Sequence, residues 1–232
     1  MFDAIRRYPG LGITVVIALA ILLKFGFWQL DRLHEKEALL AAIDSGMKGA
    51  PVPLPLQIEH AQDWNYKRVT LRGIFDHTKE IHLFSTAVTG QGGYHILTPL
   101  MRAGGVAVLV DRGWVPASRL DPATRPDGQI VGLVEVSGMS RVPRKAGFLA
   151  PKPHVAENEW FALDLPPMAQ AIGYKLAPII VEADDRPNLG GLPIGGQTRV
   201  KIPNDHLQYA VTWFGFALVL IVIYIVYIRR RR

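Results

Sequence analysis

The residues best suited to chemistry lie at one end of an uncharged, apolar run near the C-terminus. His206 precedes this run directly, and on a helix it shares a face with Tyr209, Ala210 and Trp213, which follow at i+3, i+4 and i+7. A neutral imidazole above aromatic and small side chains can ligate the iron of a flat, apolar ring that lies against the helix. The alternative is an interfacial histidine without a special role, next to a helix cap formed by one of the two residues before it.

Two further groups of ionisable residues are weaker candidates. His77, Glu80 and His82 bring possible metal ligands close in sequence, but their spacing matches no common ligand set, which favours surface or turn histidines. Asp111 and Arg112 place an acid beside a base at the end of an apolar strand, without a nucleophile or a second carboxylate. This pair is therefore predicted to be a structural ion pair or part of a turn.

Motifs of the common enzyme classes are missing from the sequence. His34 and Glu35 begin an H-E-x-x-H zinc motif, but Ala38 occupies its last position. Residues 190–196 (GGLPIGG) lack the lysine and the following helix of a phosphate-binding loop and are predicted to be a plain connection. There is no cysteine, which excludes disulfides, thiolate copper sites and covalent haem attachment. We therefore predict no catalytic residue and no enzymatic activity.

Two apolar segments must position His206. Residues 9–30 carry one charge, Lys24, and residues 207–228 carry none. At about 1.5 Å per residue each segment reaches about 33 Å, which matches a hydrocarbon core of about 30 Å. Lys24 lies close enough to the end of its segment for its ammonium group to reach the interface. Both segments are predicted to be transmembrane helices.

The charges predict how these helices are oriented. The net charge is +6, from 26 Lys and Arg against 20 Asp and Glu, yet residues 31–206 contain 19 of each sign. This balance argues against a nucleic-acid binder with a basic folded face. The positive-inside rule places residues 1–8 and 229–232 in the cytoplasm and residues 31–206, the outer domain, on the other side.

The N-terminal segment also predicts the membrane in which the chain resides. One alternative for this segment is a cleaved signal peptide, but no small-x-small cleavage pattern follows its apolar run, which favours an uncleaved anchor. No Arg-rich, Ser-rich transit segment precedes the run. We expect a multi-pass protein of a bacterial inner membrane, with the outer domain in the periplasm and membrane lipid around the helices.

The outer domain is predicted to be mostly β, a small sheet or barrel-like α+β domain, because its apolar residues change to an alternating pattern. The first helix is expected to continue through residues 30–45, and Gly90, Gly92 and Gly93 to form a turn. A short helix is predicted over 164–172, with Asp164 as its N-cap. The predicted strands are 67–75, 80–84, 94–100, 105–112, 129–139, 177–182 and an edge strand at 197–202.

Four stretches of the chain carry a resemblance to a known family. They are residues 27–30 (FWQL) with Arg32, residues 69–76 (VTLRGIFD), residues 108–116 (VLVDRGWVP), and residues 195–198 (GGQT) followed by 204–213 (NDHLQYAVTW). In order and in their relation to the two apolar segments, they resemble the motifs of the Surfeit locus protein 1 family, whose members are assembly factors of haem-copper cytochrome c oxidase.

The resemblance implies a non-catalytic role with a haem cargo. Bacterial members of the family are haem A-binding proteins that take the cofactor from haem A synthase and help to insert it into oxidase subunit I. The family's haem-ligand histidine matches His206, so Tyr209 and Trp213 become the expected neighbours of the haem. Arg112, Trp114 and residues 195–197 are expected to contact oxidase subunits or the synthase. The alternative is a scaffold that stabilises an oxidase assembly intermediate through its outer domain and holds no haem.

Overall fold

The computed structural model describes residues 9–86, 90–143, 147, 151–197 and 204–230, which contain three α-helices and eight β-strands. Helix α1 (Pro9–Lys48) and helix α3 (His206–Arg230) form one unit, up to residue 42 of α1; we call this unit the helix pair. The β-strands and helix α2 (Leu165–Ile172) belong to the second unit, residues 43–200, which we call the barrel domain. The predicted architecture of two apolar helices flanking a mostly β domain is confirmed.

The helices of the helix pair are suited to a lipid environment. Both are long and apolar enough to cross a membrane. Their apolar side chains point outwards: Ile13 is 61% exposed, Val16 66% and Leu218 62%. A core helix of a soluble protein would bury such residues, whereas lipid solvates them. The first helix also continues beyond residue 30, as predicted, and ends at Lys48.

Small residues let the antiparallel helices of the pair approach each other closely. A methyl group on Gly26 would lie 2.6 Å from the ring of Phe214, so only glycine leaves room for that ring. At the other end of the pair, Gly12 faces the hydroxyl group of Tyr224. Ala217, between these two contacts, is 3% exposed. Close packing of this kind stabilises helix pairs in lipid, where no hydrophobic effect drives them together.

The strands of the barrel domain all belong to one sheet, in the order β1-β2-β6-β8-β5-β4-β3-β7. Three neighbouring pairs are parallel, β1 with β2, β5 with β8 and β3 with β7, and the remaining pairs are antiparallel. The strands are β1 (Val52–Pro53), β2 (Lys67–Phe75), β3 (Ile81–Thr86), β4 (Gly92–Met101), β5 (Ala107–Pro116), β6 (Leu133–Arg141), β7 (Glu159–Trp160) and β8 (Leu176–Ala183).

An additional pairing closes the sheet into a barrel. The end of β2 pairs with the end of β4, Ile74 opposite Met101 and Phe75 opposite Leu100. Strands β2, β6, β8, β5 and β4 therefore form a ring of five, which has no free edge between them. The short strands β1, β3 and β7 extend this ring on the outside. The barrel-like form of the prediction is the one that the structure adopts.

The core of the barrel domain follows from the alternation along its strands. Strand β5 is buried on both faces: Val108 and Val110 join one apolar cluster and Leu109 joins another. This confirms the prediction of a central strand. The second cluster lies under α2, whose Met168 and Ile172 pack against it. The first cluster contains Leu54, Val69, Leu71, Leu100, Val108, Val110, Ala177, Ile179 and Val181.

Three predicted boundaries are wrong, and each lies near a glycine. Strand β5 does not end at residue 112 but continues through Gly113 to Pro116. Gly92 and Gly93 lie within β4 and do not form a turn. The Trp114 ring of the next strand occupies the space that a side chain at position 93 would need, so glycine is required there for packing. The strand predicted from residue 129 begins at Leu133, because residues 126–128 form a 3-10 turn and Gly132 has a φ of +93°.

Two further predictions concern the N-cap of α2 and the edge strand. Asp164 precedes α2 at the N-cap position, but its side chain donates or accepts no capping hydrogen bond. The expected edge strand at 197–202 falls almost entirely outside the described residues. The same holds for the predicted cytoplasmic residues 1–8 and for 231–232.

Candidate functional site

His206 is the first residue of α3, and a side chain of α1 fixes its imidazole. Nδ1 of His206 lies 2.7 Å from Oε1 of Gln29. Gln29 is only 9% exposed although it lies in an apolar helix, so this contact holds a buried amide next to the imidazole. A buried polar group without such a partner is costly, which makes the hydrogen bond a determinant of how α1 and α3 align here.

The hydrogen bond defines which imidazole nitrogen is free. A carbonyl oxygen accepts, so with Oε1 of Gln29 facing Nδ1 the imidazole must donate its proton from Nδ1. Nε2 of the neutral ring then carries the lone pair, and no partner for it occurs among the described residues. Histidine ligands of metals are commonly held in this way, with one nitrogen donating to a carbonyl and the other binding the metal.

Aromatic rings surround this end of the helix pair. Trp213 stacks on Phe25 of α1, with 5.0 Å between ring centres and 25° between ring planes. Phe27 meets Phe214 edge to face at 5.3 Å. Below His206, Ala210 is 1% exposed and leaves no bulk between the helices. The predicted helix face thus places an imidazole, a small residue and Trp213 together.

Tyr209 lies on the flank of this face. Its side chain is 55% exposed, whereas Trp213 is half-buried against Phe25. The assignment of Tyr209 and Trp213 to a cofactor site stays a prediction.

Gln29 and Phe25 were not identified as site residues from the sequence. Gln29 is the single amide in the first apolar segment, and it stands near the end of that segment. Two consecutive membrane spans run antiparallel, so the end of the first lies beside the start of the second. These two facts taken together pair Gln29 with His206. The apolar pattern of either segment alone does not indicate this contact.

The barrel domain holds a separate group of buried charges. Glu80 accepts hydrogen bonds from both terminal nitrogens of Arg125, at 3.2 and 2.6 Å. Arg112 lies 4.0 Å from the same carboxylate and donates to the carbonyl of Gly128 at 2.6 Å. Its guanidinium also stacks over the Phe75 ring, at 4.9 Å. The three charged side chains are almost fully buried, at 6% exposure or less.

The pKa values of these groups show how tightly the charges are coupled. Burial raises the pKa of Glu80, but the hydrogen bond from His77 and the ion pair with Arg125 outweigh it and lower the pKa to about 2. Burial lowers the pKa of Arg112 to about 10 although the Glu80 charge opposes this shift. Arg112 stays protonated and Glu80 ionised at neutral pH. Arg112 and Arg125 therefore tie residues 125–128 and Asn188 to the barrel.

Several sequence predictions about these residues need correction. Asp111 and Arg112 form neither an ion pair with each other nor a turn, because adjacent residues of β5 point to opposite faces. Asp111 instead lies 2.7 Å from Nδ1 of His95 and accepts from the amide of Gly113. Arg112 and Trp114 cannot serve as docking contacts, since they are 2% and 5% exposed.

The histidines of the other proposed cluster are also placed by the structure. His77 lies in a 3-10 turn, as predicted, and its Nε2 is 2.9 Å from the carbonyl oxygen of Ile130. His82 is a half-buried residue of β3, and burial lowers its pKa. Among the described residues, no three His, Asp or Glu side chains converge on a point that would hold a metal ion. His206 therefore remains the candidate ligand, as a single imidazole.

Comparison with known proteins places these features in a family. The model of the SURF1 family matches residues 16–218 of the chain. This range contains the barrel domain together with Gln29, His206 and Trp213. The chain belongs to the SURF1 family. The resemblance seen in the sequence motifs is thereby confirmed.

Individual SURF1 relatives come from animals and from bacteria. Surfeit locus protein 1 of Homo sapiens is 36% identical over 208 residues, which cover 83% of this chain and 69% of the relative. Surfeit locus protein 1 of Gallus gallus is 35% identical over 206 residues, which cover 82% of this chain and 66% of the relative. The chain thus spans just under two thirds of that relative's length. The SURF1-like protein of Rickettsia felis is 33% identical over 222 residues, 94% of this chain and 96% of the relative.

Proposed function

We propose that this SURF1-family chain is an assembly factor of haem-copper cytochrome c oxidase that carries haem A. In this role His206 binds the haem iron at the outer face of the membrane, after haem A synthase has released the haem, and the chain helps to insert it into subunit I. The role is not enzymatic, because the cargo leaves unchanged. The observation that carries the proposal is the His206 imidazole, which Gln29 holds at Nδ1 and whose Nε2 meets no hydrogen-bond partner among the described residues.

The surroundings of His206 suit a lipid-soluble cargo. Haem A has a long isoprenoid tail, so it partitions into the membrane and needs a lipid-accessible face more than a closed pocket. The helix pair offers such a face beside His206, since Leu207 and Tyr209 are each 55% exposed and Phe27 is 58% exposed. A single imidazole binds iron firmly enough to collect the haem, and an acceptor site with two ligands can then displace it.

The same proposal includes the location of the chain. The two apolar helices anchor it in a membrane. We propose that this is the bacterial inner membrane, with both termini in the cytoplasm, because the basic residues cluster at the termini while residues 31–206 are balanced in charge. His206 and the barrel domain then lie on the periplasmic side, where subunit I receives its haem in this proposal.

A co-expression experiment tests the proposal. The full-length chain is purified from cells that also produce haem A synthase, and its haem A is quantified from the Soret band and the pyridine haemochrome. We expect haem A in the wild-type protein, little in His206→Ala, and the wild-type amount in His34→Ala, which removes an exposed histidine of α1. If His206→Ala retains its haem, the iron ligand is not His206.

A second role is supported by the surface of the barrel domain. Ile74 and Leu133 lie directly opposite each other on β2 and β6, and they are 51% and 74% exposed. Val131, just before β6, is 93% exposed. Exposed aliphatic residues next to one another are typical of a protein contact surface. A scaffold that holds an assembly intermediate through this surface, without haem, is the alternative function.

The two roles predict different results in one pull-down. A haem-free scaffold recovers subunit I equally well with the wild-type chain and with His206→Ala, and it loses subunit I when Leu133 is changed to Asn. Its purified wild-type protein is colourless. A haem carrier, in contrast, is coloured, and His206→Ala reduces the haem content of the oxidase in membranes.

A further inference from the structure

Gln29 has a defined relation to His206 that goes beyond packing. Its Oε1 lies 2.7 Å from Nδ1 of His206, and its side chain is 9% exposed. We infer that Gln29 is the positioning residue of this site: it holds the Nδ1–H tautomer of His206 and thereby presents Nε2 to the iron of the cargo. This inference rests on the proposed function for the identity of the cargo.

The physical reason is the choice between two imidazole tautomers. A neutral imidazole without a partner exchanges its proton between Nδ1 and Nε2, and only the bare nitrogen can bind iron. An acceptor at Nδ1 favours the form with Nε2 bare. The amide of Gln29 also fixes the plane of the ring, because α1 and α3 hold both residues in a packed interface. The site is therefore organised before the cargo arrives.

The neighbouring contacts keep this geometry rigid. Trp213, two turns after His206, stacks on Phe25, one turn before Gln29. Phe214 packs against Gly26, between these two residues of α1. Ala210, one turn after His206, is 1% exposed. The amide and the imidazole thus stand at the end of an interface whose register is fixed by large rings against small residues.

The residue type at position 29 also fits a cargo that must be released. A carboxylate in the same place would accept the same proton, but its charge would raise the basicity of the imidazole and strengthen the bond to iron. The neutral amide of Gln29 orients the ring without that added strength. We expect a ligand that captures haem and gives it up.

The first part of the test uses the haem-free protein. The full-length chain is labelled with ¹⁵N-histidine in lipid nanodiscs, and the two ring nitrogens of His206 are assigned by comparison with His206→Ala. We expect Nδ1 to be protonated and Nε2 to be bare in the wild type, and both tautomers to be present in Gln29→Leu. A wild-type ring with its proton on Nε2 would overturn the inference, whatever the protein binds.

The second part of the test measures haem A binding and release. We expect Gln29→Leu to bind haem A about 10- to 100-fold more weakly than the wild type, which is the usual effect of removing such a partner. We expect Gln29→Glu, unlike Gln29→Leu, to bind haem A as well as the wild type does. It should release the haem more slowly than the wild type. Gln208→Leu, the same substitution at an exposed glutamine of α3, is the control and should keep the wild-type tautomer.

The outcomes separate this inference from the proposed function. Wild-type affinity in Gln29→Leu, or an equal loss of affinity in Gln208→Leu, would show that Gln29 does not position His206. If His206→Ala binds haem A as the wild type does, the proposed function fails at its ligand. The tautomer in the haem-free protein is measured independently of that result and still decides whether Gln29 orients the ring.

Discussion

The barrel domain and the helix pair use apolar residues in opposite ways. In the barrel domain Val69, Leu109 and Ile179 are 0% exposed, and the alternation of the strands directs them inwards. In the helix pair Ile13, Val16 and Ile223 are 60% exposed or more. The barrel domain is organised by water, which drives its apolar side chains together, whereas lipid can solvate the apolar side chains on the outside of the helix pair.

Polar groups show the same contrast. The barrel domain buries a carboxylate with two arginines, a group that is stable only because each charge has partners. The helix pair buries no such group among its described residues; its buried Gln29 amide contacts the imidazole of His206. Paired charges thus hold strands and loops together in the barrel domain, whereas a neutral hydrogen bond in the helix pair leaves one imidazole nitrogen of His206 available.

The largest effect is expected where the barrel domain loses its buried charge. Glu80→Gln leaves Arg112 and Arg125 without their counterion, and removing one member of a buried ion pair costs about 3–5 kcal/mol. Hydrogen exchange of the β5 amides in the full-length chain measures the stability of this domain separately from that of the helices. Glu135→Gln is the matched control, because Glu135 pairs with Arg72 at the surface; it should cost about 1 kcal/mol or less. Equal effects of the two variants would contradict the account.

Acid should have a similar effect on the same group. The pKa of Glu80 is lowered to about 2 in the folded chain from an ordinary value of 4.5, so ionised Glu80 stabilises the fold above about pH 4.5. This contribution is lost as the pH falls from 4.5 towards 2. The difference in stability between wild type and Glu80→Gln should therefore shrink over this range in the hydrogen-exchange measurement. A difference that is independent of pH would mean that the carboxylate is not the stabilising group.

Replacement of an isoleucine by alanine should destabilise the barrel domain and the helix pair by different amounts. Ile179→Ala creates a cavity in the closed ring of the barrel domain, where Ile179 is 0% exposed, and should cost about 2–5 kcal/mol. Ile223→Ala removes the same atoms from a side chain that is 60% exposed on α3, and lipid replaces the lost contacts. We expect almost no change in thermal unfolding for that variant. A comparable loss in both variants would show that Ile223 contacts protein.

A smaller effect is expected from overfilling the helix pair. Ala210→Leu adds bulk at a position that is 1% exposed, and overpacking typically costs about 1–3 kcal/mol. Because Ala210 lies one turn after His206, the added side chain should also separate His206 from Gln29. Crosslinking between cysteines placed on α1 and α3 would detect the separation, with the exposed Val211→Leu as control. An unchanged crosslinking rate in Ala210→Leu would contradict the packing described here.

The sequence predicts most of this fold because its two patterns are strong. Uninterrupted apolar runs predict α1 and α3, and alternation predicts β2, β4 and β8 to within two residues at each end. The boundaries failed where a glycine serves a neighbour, as Gly93 does for the Trp114 ring. The sequence did not decide between an open sheet and a closed barrel. Closure depends on the pairing of Ile74 with Met101, which lie on strands that are not consecutive in the chain.

The candidate site was predictable in part. The position of His206 before an apolar run, and the motif around it, are local features that the sequence displays. Its hydrogen bond to Gln29 joins residues 177 positions apart, and the partner is recognisable only once the helices are known to be antiparallel. The group around Glu80 was missed for the same reason, since Arg112 and Arg125 reach it from other strands and loops.

Resonance Raman spectroscopy of the ferrous haem A-loaded chain can show whether His206 holds iron at the end of the helix pair. We expect an iron–imidazole stretching band that shifts when histidine is labelled with ¹⁵N and that is missing from His206→Ala. A band that persists with the same isotope shift in His206→Ala, or a wild-type spectrum without any histidine-sensitive band, would contradict this role of His206.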